Sequence, residues 1–148
     1  MTQSVIIAVV LMITAGVMIA VQPPINAALG RGLSSPIAAA TVSFGVGFIL
    51  LLLCTVVMGD LPNLLAVPTL SPWLFIGGAL GAVFVFAALW SVPVLGVLTV
   101  TGLAVLGQIV AALVMDHYGL FELNVREVSP QRALSAALIV AGVILSRF

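Results

Sequence analysis

Among the uncharged polar side chains inside the long apolar stretches of this chain, five stand out: Gln22, Asn26, Ser43, Trp90 and Gln108. Three carboxamides, a hydroxyl and an indole N–H can hold a polar solute by hydrogen bonds, and an indole face can stack on a flat or cationic group. These five are the candidate substrate-binding residues. No nucleophile sits beside a base and no phosphate-binding loop is present, so the chain is read as a non-enzyme. A single histidine with no clustered thiolates or carboxylates makes a metal site unexpected, and no cofactor is implied.

Gln22 and Asn26 flank Pro23-Pro24 near the end of an uncharged segment running from Ser4 to Gly30. The prolines remove two backbone donors and strand the carbonyls of Ile19 and Ala20, four residues back. In hydrocarbon those acceptors need a substitute partner, and transporters often build substrate sites at such broken helices. A bend or break is therefore expected here, with Pro23 and Pro24 as structural or gating elements. In the competing reading the helix ends at Gln22 and residues 23–30 form an interfacial loop, because residues 4–22 alone could just cross roughly 30 Å of hydrocarbon.

The other candidates each admit two readings. Gln108 lies among apolar neighbours and should face the protein interior, as a substrate contact or as one interhelical hydrogen bond fixing the packing. Trp90 is an interfacial anchor or a stacking surface. Asp116 and His117 are a pH-sensitive pair or a local cap at the membrane surface. Together with Arg31, in the turn after the first helix, they are taken as structural or gating residues.

These residues can only be held by membrane helices. Hydrophobic residues make up 64% of 148, charged residues 5%, and the mean hydropathy is +1.43, where a soluble domain would be about 25% charged. No charged residue precedes Arg31, lies between Arg31 and Asp60, or lies between Asp60 and Asp116. Runs of that length indicate several membrane spans. The net charge of zero argues against nucleic-acid binding, and the absence of Lys and Arg before Arg31 marks the N-terminal segment as a retained span rather than a secretory signal. Cys54, alone in an apolar run, is a small packing side chain.

The expected architecture is all-α: one transmembrane domain over residues 1–148 with five helices at about 4–30, 36–58, 73–91, 96–115 and 130–146, four spans plus a surface helix being the alternative. Ser35-Pro36, Ser71-Pro72 and Ser129-Pro130 are helix starts, an N-cap followed by proline at the first helical position. The turn at residues 30–34 offers glycines for a C-cap. Residues 61–70 form an interfacial loop, Trp73 fits the aromatic belt, and Pro93 to Gly96 provides the hairpin between helices 3 and 4. Close packing is expected at Ser43/Gly47, Gly77/Gly81, Gly107/Ala111 and the Ala133/Ala137/Ala141 stripe.

With five spans, Arg126 and Arg132 fall on one side of the membrane and Arg31 and Arg147 on the other, and there is no lysine. Orientation normally follows an excess of Lys and Arg on the cytoplasmic side. Two against two leaves no bias, so the chain is expected to insert both ways up. Two opposed copies would then pair as an antiparallel homodimer.

Gln22…Asn26-x-x-Leu29-Gly30-Arg31, Val42-Ser43-Phe44-x-x-Gly47, Pro72-Trp73…Gly77-Gly78-x-x-Gly81, Pro93-x-x-Gly96, Gly107-Gln108 and Asp116-His117-Tyr118-Gly119 occur in this order over nearly the whole chain. In this the chain resembles the YdcZ-type branch of the drug/metabolite transporter superfamily. The resemblance implies a five-helix exporter of the bacterial inner membrane, found in dual-topology, paired and fused forms, with polar positions at Gln22, Asn26, Gln108 and Asp116. The chain departs from the related small multidrug exporters, which carry a glutamate in their first helix. The functional expectation is a small-solute transporter working by alternating access, whose partners are an inverted second copy, the bilayer and a small molecule. A small dual-topology ion channel and a non-transporting membrane subunit are the alternatives.

Overall fold

The computed structural model describes residues 3–122 and 124–145. Every regular element among them is helical: α1 Gln3–Leu33, α2 Pro36–Val57, α3 Ile76–Leu95, α4 Val97–Tyr118 and α5 Pro130–Leu145. Short 3-10 segments occupy Leu61–Thr69, Pro72–Phe75 and Leu120–Glu122. Four stretches, Gln3–Leu33, Pro36–Val57, Pro72–Leu95 and Val97–Tyr118, are long and apolar enough to cross a membrane, and α5 is a shorter apolar helix. The expected end of helix 5 at Ser146, and Arg147 in the arginine count, lie outside the described residues.

Helix α1 is one continuous helix of 31 residues with Pro23 and Pro24 inside it. It is neither broken at the prolines nor ended at Gln22. Proline's locked φ is itself close to helical, so the rings cost two hydrogen bonds without ending the helix. In an apolar surrounding the remaining backbone bonds have no water to exchange with, which holds the helix through the gap. At about 1.5 Å per residue α1 is roughly 46 Å long, well beyond a hydrocarbon core of about 30 Å.

The helix ends show why the chain turns where it does. After α1, the Ser34 N–H donates to the Arg31 carbonyl at 3.2 Å and the Ser35 N–H to the Gly30 carbonyl at 3.1 Å. That is a Schellman closure whose left-handed residue is Ser34, at φ 52, rather than either nearby glycine. Ser35 then caps α2, its Oγ accepting from the Ala38 N–H at 3.2 Å, with Pro36 opening the helix. Gly59 (φ 75) closes α2 in the same way, and the Asp60 carboxylate accepts from Asn63 Nδ2 at 3.0 Å. Helix 3 runs through Pro93 to Leu95. The expected hairpin of residues 93–96 therefore shrinks to Gly96, whose φ 79 and ψ 159 belong to a region only glycine occupies readily.

The helices group into two packed units, α1 to α3 and α4 with α5. In the first, α1 buries Pro23, Asn26, Ala27 and Gly30, one face at helical spacing, and α2 buries Ala39 and Ala40. Gly30 is where the two backbones come close: a β-carbon there would stand 3.6 Å from Ala39 Cβ. Ala40 then joins Val85, Leu89 and Phe84 of α3 in a small apolar cluster, and the Phe44 ring lies over Gly81.

In the second unit the closest approach is Gly102 of α4 against Val143 of α5, where an added β-carbon would meet Val143 Cγ2 at 2.7 Å. The half-buried positions of α5 are Arg132, Ala136, Ile139 and Val143, while Ala133, Ala137 and Ala141 are exposed. The expected alanine stripe is therefore not the face that α5 packs against α4. Nor do Gly47, Gly77 and Gly107 meet a neighbour within 4 Å. The small-residue stripe of helix 5 is not what docks it; the branched side chain of Val143, fitted to the gap at Gly102, is.

That fit generates a direct test. Gly102→Ala should lower the stability of α4–α5 docking by about 1–3 kcal/mol, the usual cost of overpacking a stiff branched neighbour. Val143→Ala in the same chain should restore most of it, read as the melting temperature in detergent.

Candidate functional site

Three of the five candidate binding residues line one cleft. Gln22 and Asn26 of α1 and Ser43 of α2 border a depression of about 570 Å³ whose remaining lining is Val17, Met18, Ile19, Val21 and Ile25. The spacing explains the convergence. Gln22 and Asn26 are one turn apart on α1, and the close α1–α2 contact at Gly30 and Ala39 brings Ser43, one turn beyond Ala39, against the same face. Ile19, whose carbonyl lost its helical donor to Pro23, is part of the wall.

Asn26 is the unusual member. It is 4% exposed, and its Nδ2 is buried with no hydrogen-bond partner. An unsatisfied buried polar group costs about 1–3 kcal/mol relative to a paired one, more in apolar surroundings. Gln22 and Ser43 beside it are half-buried. The cleft thus offers amide and hydroxyl groups, no charge, and one donor that the resting arrangement leaves unpaired.

The other candidates lie elsewhere. Trp90 and Arg31 border a separate cavity of about 170 Å³ at the α1–α2 turn, with Ala27, Gly30, Pro36, Leu89 and Pro93. Trp90 is 60% exposed, and Arg31 sits in the last turn of α1, where its charge complements the helix dipole. Pro23 is buried against the α1–α2 seam, and Pro24 is half-buried. Gln108, expected to face the interior, is exposed on α4; nothing in its own unit covers it.

Asp116 and His117 divide. Asp116 pairs with Arg132 of α5, both partly exposed. The Arg126 N–H donates to the Asp116 carbonyl at 2.8 Å, and Arg132 also donates to the Arg126 carbonyl at 3.4 Å. His117 is exposed, its ring edge-on to Tyr118. The helix is closed by Gly119 (φ 60), whose N–H donates to the Met115 carbonyl. Asp116 therefore fastens the α4–α5 connection. A signal for this partner was present: Arg132 lies in the first turn of α5, where the helix dipole disfavours a cation unless an acid offsets it.

Sequence spacing also did not reveal a second, apolar groove of about 490 Å³ between α2 and α3, lined by Ile37, Ala40, Thr41, Phe44, Ala82, Val83 and Phe86. Among the described residues no group of three or more metal-ligating side chains converges.

Long apolar helices, uncharged polar groups at their seams and charges confined to their ends define a multi-pass α-helical membrane protein. The chain belongs to the DMT_YdcZ family, described as "Putative inner membrane exporter, YdcZ", whose family model matches residues 7–145. No curated protein and no solved structure matches it. It is a multi-pass protein of the inner membrane.

The unpaired Asn26 yields a prediction in which stability and binding move in opposite directions. Asn26→Leu removes the unsatisfied amide while keeping a branched side chain, so it should hold or raise the melting temperature. Ligand-induced thermal shifts should vanish in the same variant. A variant that melts earlier would mean that Asn26 is paired in the folded protein.

Proposed function

We propose that this protein exports or exchanges a small, uncharged or weakly charged polar solute by alternating access, and that the α1–α2 cleft holds the solute. The observation that carries this reading is Asn26, an amide kept buried and unpaired beside Gln22 and Ser43 in a chain of an exporter family. A solute that hydrogen-bonds to these groups relieves the Asn26 penalty on binding, which favours the loaded state. Pro23 and Pro24 give α1 a point where two backbone bonds are already missing, so the helix can flex there at little further cost. Arg31, in the last turn of the same helix, and Trp90 of α3 would border the route between the cleft and the membrane surface.

In this reading all five helices cross the membrane. Helix α5, with 16 residues, is about 24 Å long, and the bilayer thins around it. The balanced arginines then support insertion in both orientations and a working unit of two opposed copies, in which one mechanism presents equivalent openings to either side. Exposure of most of each span's surface within a single chain fits such an assembly: no more than 17% of the most apolar stretch of any span is buried.

Two measurements test the proposal. In proteoliposomes, Asn26→Ala and Ser43→Ala should reduce solute flux at least tenfold without loss of protein from the membrane, and unchanged flux in both would remove the cleft from the transport path. A tag at the C-terminus should be labelled from both faces of the inner membrane in comparable amounts. Labelling from one face alone would refute dual insertion.

A further inference from the structure

Gln108 is the one candidate whose surroundings do not account for it. Its carboxamide is exposed and makes no hydrogen bond among the described residues, yet it stands at the middle of a helix long and apolar enough to span the membrane. Helix α4 runs from Val97 to Tyr118, so eleven residues lie on each side of the Gly107–Gln108 bond. That is the depth at which hydrocarbon is least able to satisfy an amide. Next to it, Gly107 meets nothing within 4 Å, and Ala111 one turn on is also exposed, so another helix backbone can approach closely on this face.

A carboxamide has one donor edge and one acceptor edge, so its simplest complete partner is a second carboxamide related by a two-fold axis, giving two reciprocal N–H···O=C bonds. In an antiparallel pair of identical helices only the residue on the two-fold axis meets its own copy. Gln108, next to the middle of α4, puts that axis near the centre of the span. We propose that α4 packs against α4 of a second, inverted copy, with the two Gln108 amides hydrogen-bonded to each other where the two-fold axis crosses the bilayer. The inference rests on the antiparallel pairing proposed above and names the contact that makes it. It assigns Gln108 to the seam between copies, as a positioning residue rather than a solute ligand.

The register is specific. With the two-fold axis at Gln108, Ala104 of one chain comes opposite Ala112 of the other. The native thiol of Cys54 is exposed, so the test uses Cys54→Ala chains in native membranes, oxidised mildly. Gln108→Cys should cross-link to itself. Ala104→Cys and Ala112→Cys should each fail alone and cross-link when the two variants are co-expressed, since a disulfide needs α-carbons within about 7 Å. Self-cross-linking of Ala104→Cys or Ala112→Cys would reveal a parallel pair and overturn the proposal. No Gln108→Cys cross-link in a protein that is dimeric by light scattering would overturn this seam and leave antiparallel pairing standing. A monomer by light scattering that also shows no cross-link would remove both. As a second readout, Gln108→Leu should weaken association by roughly three- to thirtyfold, the range measured for interhelical hydrogen bonds in membranes. Unaltered association would overturn the amide pair.

Discussion

Hydrocarbon offers no hydrogen bonds, and this one property of the solvent arranges nearly everything in the chain. Each backbone N–H and carbonyl at membrane depth must find a partner within the protein, which leaves helices as the available form for segments this apolar. The same rule governs the ends, where three of the turns are closed by left-handed residues, Ser34, Gly59 and Gly119, that return donors to the last carbonyls. It also explains why α1 survives two adjacent prolines. With no water to compete for the neighbouring bonds, two absent donors are a local deficit and not a point of unravelling.

Against that background the unsatisfied groups carry information. Charges have been moved to the ends of the helices, where Asp116 and Arg132 fasten α4 to α5 and Asp60 organises the turn after α2. What remains at depth is neutral. The amide of Asn26 is buried at a seam and the amide of Gln108 is exposed on a helix face, and neither is paired. Leaving such groups unpaired lowers stability, and proteins retain penalties of this kind where a ligand, a partner or a second conformation relieves them. The first is suited to a solute and the second to another copy of the chain.

Close packing rests on small residues, as expected when apolar side chains gain little by leaving lipid for one another. The pairs in use are Gly30 with Ala39, Gly81 with Phe44 and Gly102 with Val143. Their partners are a methyl, an aromatic ring and a branched side chain, so each contact is a fit between unlike shapes. A spacing rule that looks for small residues four apart finds Gly81 but also Gly47, Gly77 and Gly107, which meet no neighbour among the described residues of their own unit.

The amino-acid sequence by itself determined the helical class, the starts at Pro36 and Pro130, the glycine turn at Gly96 and the neutral polar residues that could serve a site, because hydropathy, capping and proline chemistry act within a few residues. The grouping of Gln22 and Asn26 was legible for the same reason, being one turn of one helix. Only the tertiary structure decided that α1 is unbroken, that Ser43 joins that pair while Trp90 joins Arg31, that Asp116 reaches Arg132, and that Gln108 and the alanine stripe of α5 face outward. These depend on which face each helix turns toward its neighbour. In a chain apolar on every side that choice is made by side-chain shape at the points of contact, and hydrophobic periodicity cannot announce it.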